Sequence, residues 1–209
     1  MKTLLCYHVA TMNRFREITE DILSFGWDTL LNCDKIMVGV NGDIGAVGKL
    51  FSGYDAEIYD NESNDYEFVT LERLYDFINE SEDDWKVCYV HSKGVSIEGV
   101  NECIEDWRRY MCYFNLERYE DCLETLDTYD TCGVDLRDEF SPHYSGNFWW
   151  STSSHMKRLK SPRHVIDRNW GRHLCEFWIC SQGKHYSFND CGIDVCERHL
   201  QRYPREKYA

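Results

Sequence analysis

The chain has 209 residues, 43% of them hydrophobic and 15% aromatic, which suits one domain, or a domain with a small appendage, with a sizeable core and excludes global disorder. Asp and Glu number 37 against 23 Lys and Arg, a formal charge of -14, and no basic run is present. A polynucleotide binder or a protein held on anionic lipid needs the opposite balance, whereas a single nucleotide can still be held by a local pocket.

Residues 3–9 (TLLCYHV) read as a first strand, followed by a loop and by a helix over 14–25 with Phe15, Ile18, Ile22 and Phe25 on one face. Residues 36–40 read as a second strand that ends in the turn signal Asn41-Gly42-Asp43. A Gly-rich piece runs to Gly53, residues 56–59 form a short third strand, and 61–65 are polar loop. Thr70 is placed to cap a helix that runs to about Asn79. The stretch 86–96 (KVCYVHSKGVS) is the organising one: an apolar strand emptying abruptly into His91-Ser92-Lys93-Gly94. Residues 97–130 are the longest helical region, with a break near 111–115. A short strand over 131–136 precedes the aromatic segment 141–152 (SPHYSGNFWWST). A short helix over 153–159 follows. Residues 160–173 then form a basic segment with Arg163, His164, Arg168, Arg172 and His173. Residues 176–180 have a strand-like aromatic pattern, and the last twenty residues read as a closing helix that frays at Pro204. Strand and helix alternate, which predicts an α/β fold with a central sheet and helices on both faces.

Eleven cysteines are an odd number for a disulfide scaffold, and the first ten residues contain no small-residue cleavage site; both features point to buried free thiols in a reducing, cytoplasmic compartment. Cys175, Cys180, Cys191 and Cys196 fall in a C-x4-C-x10-C-x4-C pattern, at or beyond the edge of structural zinc spacing. No stretch approaches 18 apolar residues, so no transmembrane segment is expected. The dinucleotide and P-loop glycine motifs, HExxH and GxSxG are all missing.

Chemistry-bearing residues gather at predicted strand ends, where open α/β sheets bind ligands. His91 and Lys93, two apart, can address one ligand, the imidazole as a metal ligand or donor and the ammonium against phosphate. Arg73 and Asp76 lie one turn apart on the preceding helix and fit either that site or a surface ion pair. His143, Tyr144, Asn147, Trp149 and Trp150 suit a sugar if exposed and a core strand if buried; alternation puts Phe148 and Trp150 inward with Asn147 and Trp149 outward. Glu176 can act as a base, orient a hydroxyl, or pair with Arg172.

YVHSKG, CGVDL, HYSGNFWWSTSSHMKRL and E-x-W-I, spread over most of the chain, together resemble the small glycosyltransferases of the GT-A type, among them those of large chlorella-infecting viruses that build capsid-protein glycans. The resemblance implies a single GT-A-like domain over 1–209 with a mixed central sheet. It implies a UDP-sugar donor, a divalent ion (manganese) on the diphosphate, and an oligosaccharide or glycoprotein acceptor in the host cytoplasm. Tyr7, His8 and Thr11, with Asn41 and Asp43, would cradle uracil and ribose, and Arg73, His91 and Lys93 would face the diphosphate. Glu176, Asn147 and His143 would serve the reaction. The Asp-x-Asp of such enzymes is missing, so His91 and Asp76 would hold the metal, or Lys93 would reduce the need for one. The alternatives are a glycan-binding module without catalysis and a nucleotidyltransferase.

Overall fold

The computed structural model describes residues 1–26, 29, 32–61, 66–165 and 174–209. Arg168, Arg172 and His173 of the basic segment, most of the predicted 61–65 loop, and hence any pairing of Arg172 with Glu176, lie outside the described residues. Four parallel strands form one half of the sheet: β1 Lys2–Ala10, β2 Lys35–Asn41, β3 Ala56–Asp60 and β4 Trp85–His91. The other half is built from β5 Thr131–Gly133, β8 Trp149–Thr152 and β9 His185–Ser187, in the order β3-β2-β1-β4-β8-β5-β9. Strand β8 runs antiparallel to both β4 and β5, so the sheet is mixed. A two-stranded ribbon, β6 Leu136–Arg137 and β7 His143–Tyr144, lies beside it.

Side chains alternate across the sheet and give it two cores. Leu5, Tyr7, Val9, Val38, Val40, Val90 and Trp150 pack under α1 Phe15–Phe25, α2 Ile44–Leu50 and α4 Glu102–Cys112. Leu4, Cys6, Met37, Val87, Tyr89 and Trp149 pack under α3 Phe68–Glu80, where Met156, Trp178 and Ile179 close the layer. The chain is thus an α/β domain with a mixed central sheet flanked by helices.

The structure revises several sequence expectations. The Gly-rich piece holds α2, because Asp43 accepts the Ala46 N–H as its cap and Ala46 and Val47 turn inward, leaving Gly45 and Gly48 clear of the core. The strand-like run near Glu176 is a helix, α8 Leu174–Trp178: Cys175, Trp178 and Ile179 are buried at helical rather than alternating spacing. The last twenty residues form turns and one 3-10 turn at Arg205–Lys207 instead of a closing helix. The break near 111–115 is a π-turn, Tyr113–Glu117, before α5 Tyr119–Thr125. Trp149 joins Trp150 in the interior rather than facing out, because the sheet is covered on both faces. Among the described residues no helix is long and apolar enough to cross a membrane.

Candidate functional site

Parallel pairing sets His8 level with Gly39 on one side and with His91 on the other, at the carboxyl ends of β1, β2 and β4. All three face the α3 layer. Gly39 is required there, since a Cβ would overlap the Thr70 hydroxyl. The space it leaves lets Thr70 reach His8 Nδ1 at 2.8 Å, while Asn61 Nδ2 donates to the same hydroxyl at 3.0 Å and to Asn41 Oδ1 at 2.7 Å. Burial holds the His8 pKa down to about 4, so its imidazole is neutral at physiological pH.

Glu67, just before α3, is the centre of the cluster. Its side chain is 13% exposed, and burial raises its pKa while the donors around it work the other way. Oε2 accepts from Asn147 Nδ2 at 2.6 Å and from the Tyr89 hydroxyl at 2.9 Å. Oε1 faces His91 Nδ1 at 3.7 Å. The other ring nitrogen, Nε2, lies 2.8 Å from the Gly146 carbonyl, which can only accept, so Nε2 carries a proton. Nδ1 is thus the ring nitrogen turned toward the Glu67 carboxyl, at a distance longer than a hydrogen bond. Asn147 is fixed from both ends: Trp149 Nε1 donates to its Oδ1 at 2.9 Å, which leaves the amide to serve Glu67. It holds a left-handed backbone (φ 57°) after Gly146 (φ 96°), a conformation that suits Asn and Gly. Glu176 Oε2 accepts the Gly146 N–H at 3.1 Å and acts electrostatically on Glu67.

Five of the residues singled out in the sequence therefore converge: His8, Asn41, His91, Asn147 and Glu176. The others go elsewhere. Tyr7 alternates away from His8 into the opposite core and meets Phe51 edge-on. Thr11 accepts the Asp43 N–H and Asp43 caps α2, so both build the turn. Arg73 donates to the Asp60 carbonyl and lies over the Tyr59 ring. Asp76 pairs with Arg163 on the exposed side of α3. It is nine residues beyond Glu67, about 13 Å along the helix axis, so the structure does not bring it to His91. His143 bonds the Ser141 carbonyl and packs against Phe177. Lys93 lies over the Trp107 ring, 4.2 Å from its centroid. The buried Tyr144, Trp149 and Trp150 offer no stacking platform for a sugar.

Glu67, Asn61 and Tyr89 carry no site reading in the sequence, and Thr70, expected to cap the helix, lies inside α3 with its hydroxyl turned to His8 and Asn61. Glu67 stands beside residues of polar loop sequence, and nothing in its spacing announces that α3 delivers it to the end of β4.

Among the described residues, Asp135, Asp190 and Cys191 place three potential ligand atoms within 4.8 Å of one another, whereas Glu67, Glu176 and His91 do not come together in that way. There Arg198 stands 2.9 Å from Asp135 and Arg137 3.0 Å from Asp190, so the carboxylates are already compensated by guanidinium.

A family model described as "Domain of unknown function (DUF8361)" matches residues 49–185, and the chain belongs to that family. No curated protein matches. In fold it is similar to a solved 4-diphosphocytidyl-2C-methyl-D-erythritol synthase (TM-score 0.51, 10% identity, covering 99% of this chain and 96% of that one). A nucleotidyl transferase from Methanothermobacter thermautotroptrophicus (TM-score 0.45, 11% identity, 99% and 94%) also matches. So does a 4-diphosphocytidyl-2C-methyl-D-erythritol synthase from Anaerococcus prevotii (TM-score 0.48, 8% identity, 98% and 92%). These findings correct the resemblance drawn from sequence. The solved structure that shares the fold at a TM-score above 0.5 is a 4-diphosphocytidyl-2C-methyl-D-erythritol synthase rather than a glycosyltransferase. The reading as a viral UDP-sugar glycosyltransferase with a glycan or glycoprotein acceptor is withdrawn. The likeness itself shows the α/β fold, which both kinds of transferase share.

Proposed function

We propose that the chain is a nucleotidyltransferase. It joins a nucleoside triphosphate to a small phosphorylated acceptor at the carboxyl ends of β1, β2 and β4. The observation that carries this reading is the buried Glu67–His91–Asn147 cluster, with neutral His8 beside it, at the edge where open α/β sheets bind nucleotides. The fold shared with a diphosphocytidyl-methylerythritol synthase supports it.

In the reaction an oxygen of the acceptor's phosphate attacks the α-phosphorus, the bond from that phosphorus to the bridging oxygen breaks, and pyrophosphate leaves. His91, whose Nε2–H is turned to Gly146, presents Nδ1 toward the Glu67 carboxyl beside the reacting phosphates. The amide of Asn147 holds Glu67 in place. A divalent ion accompanying the nucleoside triphosphate would supply charge neutralisation when bound.

The test is pyrophosphate release from CTP, UTP, ATP and GTP, each with Mg2+ or Mn2+ and with a panel of sugar and polyol phosphates. We expect release with one of these nucleotides and a fall of about 100-fold or more in Glu67→Gln, in line with loss of a positioned acid–base group. Absence of release, together with no rise in melting temperature with any nucleotide at millimolar concentration, would sink the reading.

A further inference from the structure

Of the buried side-chain nitrogen and oxygen atoms that make no hydrogen bond among the described residues, seven of twelve lie in one place. They are Trp107 Nε1, Arg137 Nε, Ser145 Oγ, Asp135 Oδ2 and all three guanidinium nitrogens of Arg198. Buried polar atoms are nearly always paired, so such a concentration calls for a cause. Six of the seven can donate and one is a carboxylate oxygen, which is the composition of an anion site.

The residues are tied together by contact. Arg198 is 2% exposed, and its guanidinium carbon lies 4.7 Å from the Trp107 ring centroid. Its Nη2 stands 2.9 Å from Asp135 Oδ2 as an ion pair without hydrogen-bond alignment, and its Nε and Nη1 have no partner at all. Asp135 accepts the Ser145 N–H on its carbonyl at 3.1 Å, which places Ser145 next to it. Trp107 also reaches Gly146, where a Cβ would come 3.2 Å from the indole. The Gly146 carbonyl is the one that orients His91. Lys93, two residues beyond His91, brings a second cation to the same indole, no more than about 9 Å from Arg198. The donors therefore adjoin the site described above, across the Gly146 turn. A cavity of about 10 Å3, lined in part by Trp107, Cys191 and Arg198, leaves room for little more than one water, so a polyphosphate needs the segment that carries Arg198 to shift outward.

We infer that Arg198, Trp107, Ser145 and Lys93 form an anion subsite that takes the pyrophosphate portion of a nucleoside triphosphate. The inference rests on the nucleotidyl-transfer reading for its ligand, and on the orphaned donors for its place. A guanidinium is suited to a phosphate because it offers parallel N–H donors, and an indole face holds it without using any of them.

The probe is inorganic pyrophosphate, titrated calorimetrically into the whole chain at fixed ionic strength, with EDTA and separately with Mg2+. We expect binding in EDTA that weakens at least tenfold in Arg198→Gln, and by a smaller factor in Trp107→Phe, which keeps the ring and removes its N–H. Circular dichroism checks that each variant is folded. Should Arg198→Gln fail to fold, Trp107→Phe and Ser145→Ala carry the test. Equal affinity in the folded variants, no binding of pyrophosphate, or binding that needs Mg2+ and ignores Arg198, each overturns the inference. The two readings fail separately. Arg198-dependent pyrophosphate binding without nucleotide turnover keeps the subsite and removes the nucleotidyltransferase; turnover with Arg198-independent pyrophosphate binding does the reverse.

Discussion

Asn147 shows how much one side chain can settle. Its Oδ1 takes the Trp149 N–H and its Nδ2 serves the Glu67 carboxyl at 2.6 Å, so the amide reads a donor on one side and an acceptor on the other. Asn147→Asp keeps the size and the tolerance for a left-handed backbone, but it sets two carboxyls against each other in a buried place. At pH 7 this substitution should cost about 1–3 kcal/mol, the usual price of an unpaired buried polar group. The cost should shrink toward pH 5, where one proton shared by the two carboxyls relieves the repulsion. Urea unfolding at the two pH values decides it; a cost that stays constant with pH would show that Glu67 is not the partner that matters. The sequence marked Asn147 through its aromatic neighbours, left those rings open to a sugar or to a core, and by alternation set Asn147 and Trp149 outward. That expectation failed because alternation distinguishes two faces of a strand and cannot tell that both are covered.

At the scale of elements, strands and amphipathic helices were legible, and so was the edge where His8, Asn41 and His91 meet, because strand ends follow directly from apolar runs. Elements that depend on a distant partner were not. The π-turn Tyr113–Glu117 exists where Trp150 on β8 donates its Nε1–H to the Asn115 carbonyl at 2.7 Å, a partner 35 residues away. The wide turn frees that carbonyl, and the indole satisfies it. Trp150→Phe preserves most of the ring and leaves the buried carbonyl only the weak Cys88 thiol, 4.0 Å away, so it should lower stability by about 1–3 kcal/mol. A loss below about 0.5 kcal/mol in thermal or urea unfolding would mean that the π-turn relaxes to α-helix. Glu67 belongs to the same class: its role comes from where α3 docks on β4, and no local pattern carries that.

Over the whole molecule, proton uptake links the site to stability. Burial lowers the pKa of His8 to about 4, and it also lowers those of His155 and His185. A histidine held neutral in the fold takes its proton first in the unfolded chain, so folding stability is full above the unfolded value of about 6.5 and is lost as pH falls toward 4. Glu67 and Asp135 act in the other direction, since burial raises their pKa values and the folded state then binds protons ahead of the unfolded one. The two effects overlap in mildly acid solution, and His8 and Glu67 are electrostatically coupled, so the wild-type profile alone does not separate them. His8→Gln does. Glutamine can still bond Thr70 but takes up no proton, so the stability gap between wild type and variant should change by up to 1.4 kcal/mol per pH unit between about 6.5 and 4, and by about 3 kcal/mol in all. The wild type loses ground as the pH falls. Urea midpoints measured at half-unit steps give the slope directly. A gap that does not change with pH would mean that His8 is protonated as readily in the fold as out of it, and the neutral imidazole beside the Glu67–His91 pair would have to be given up.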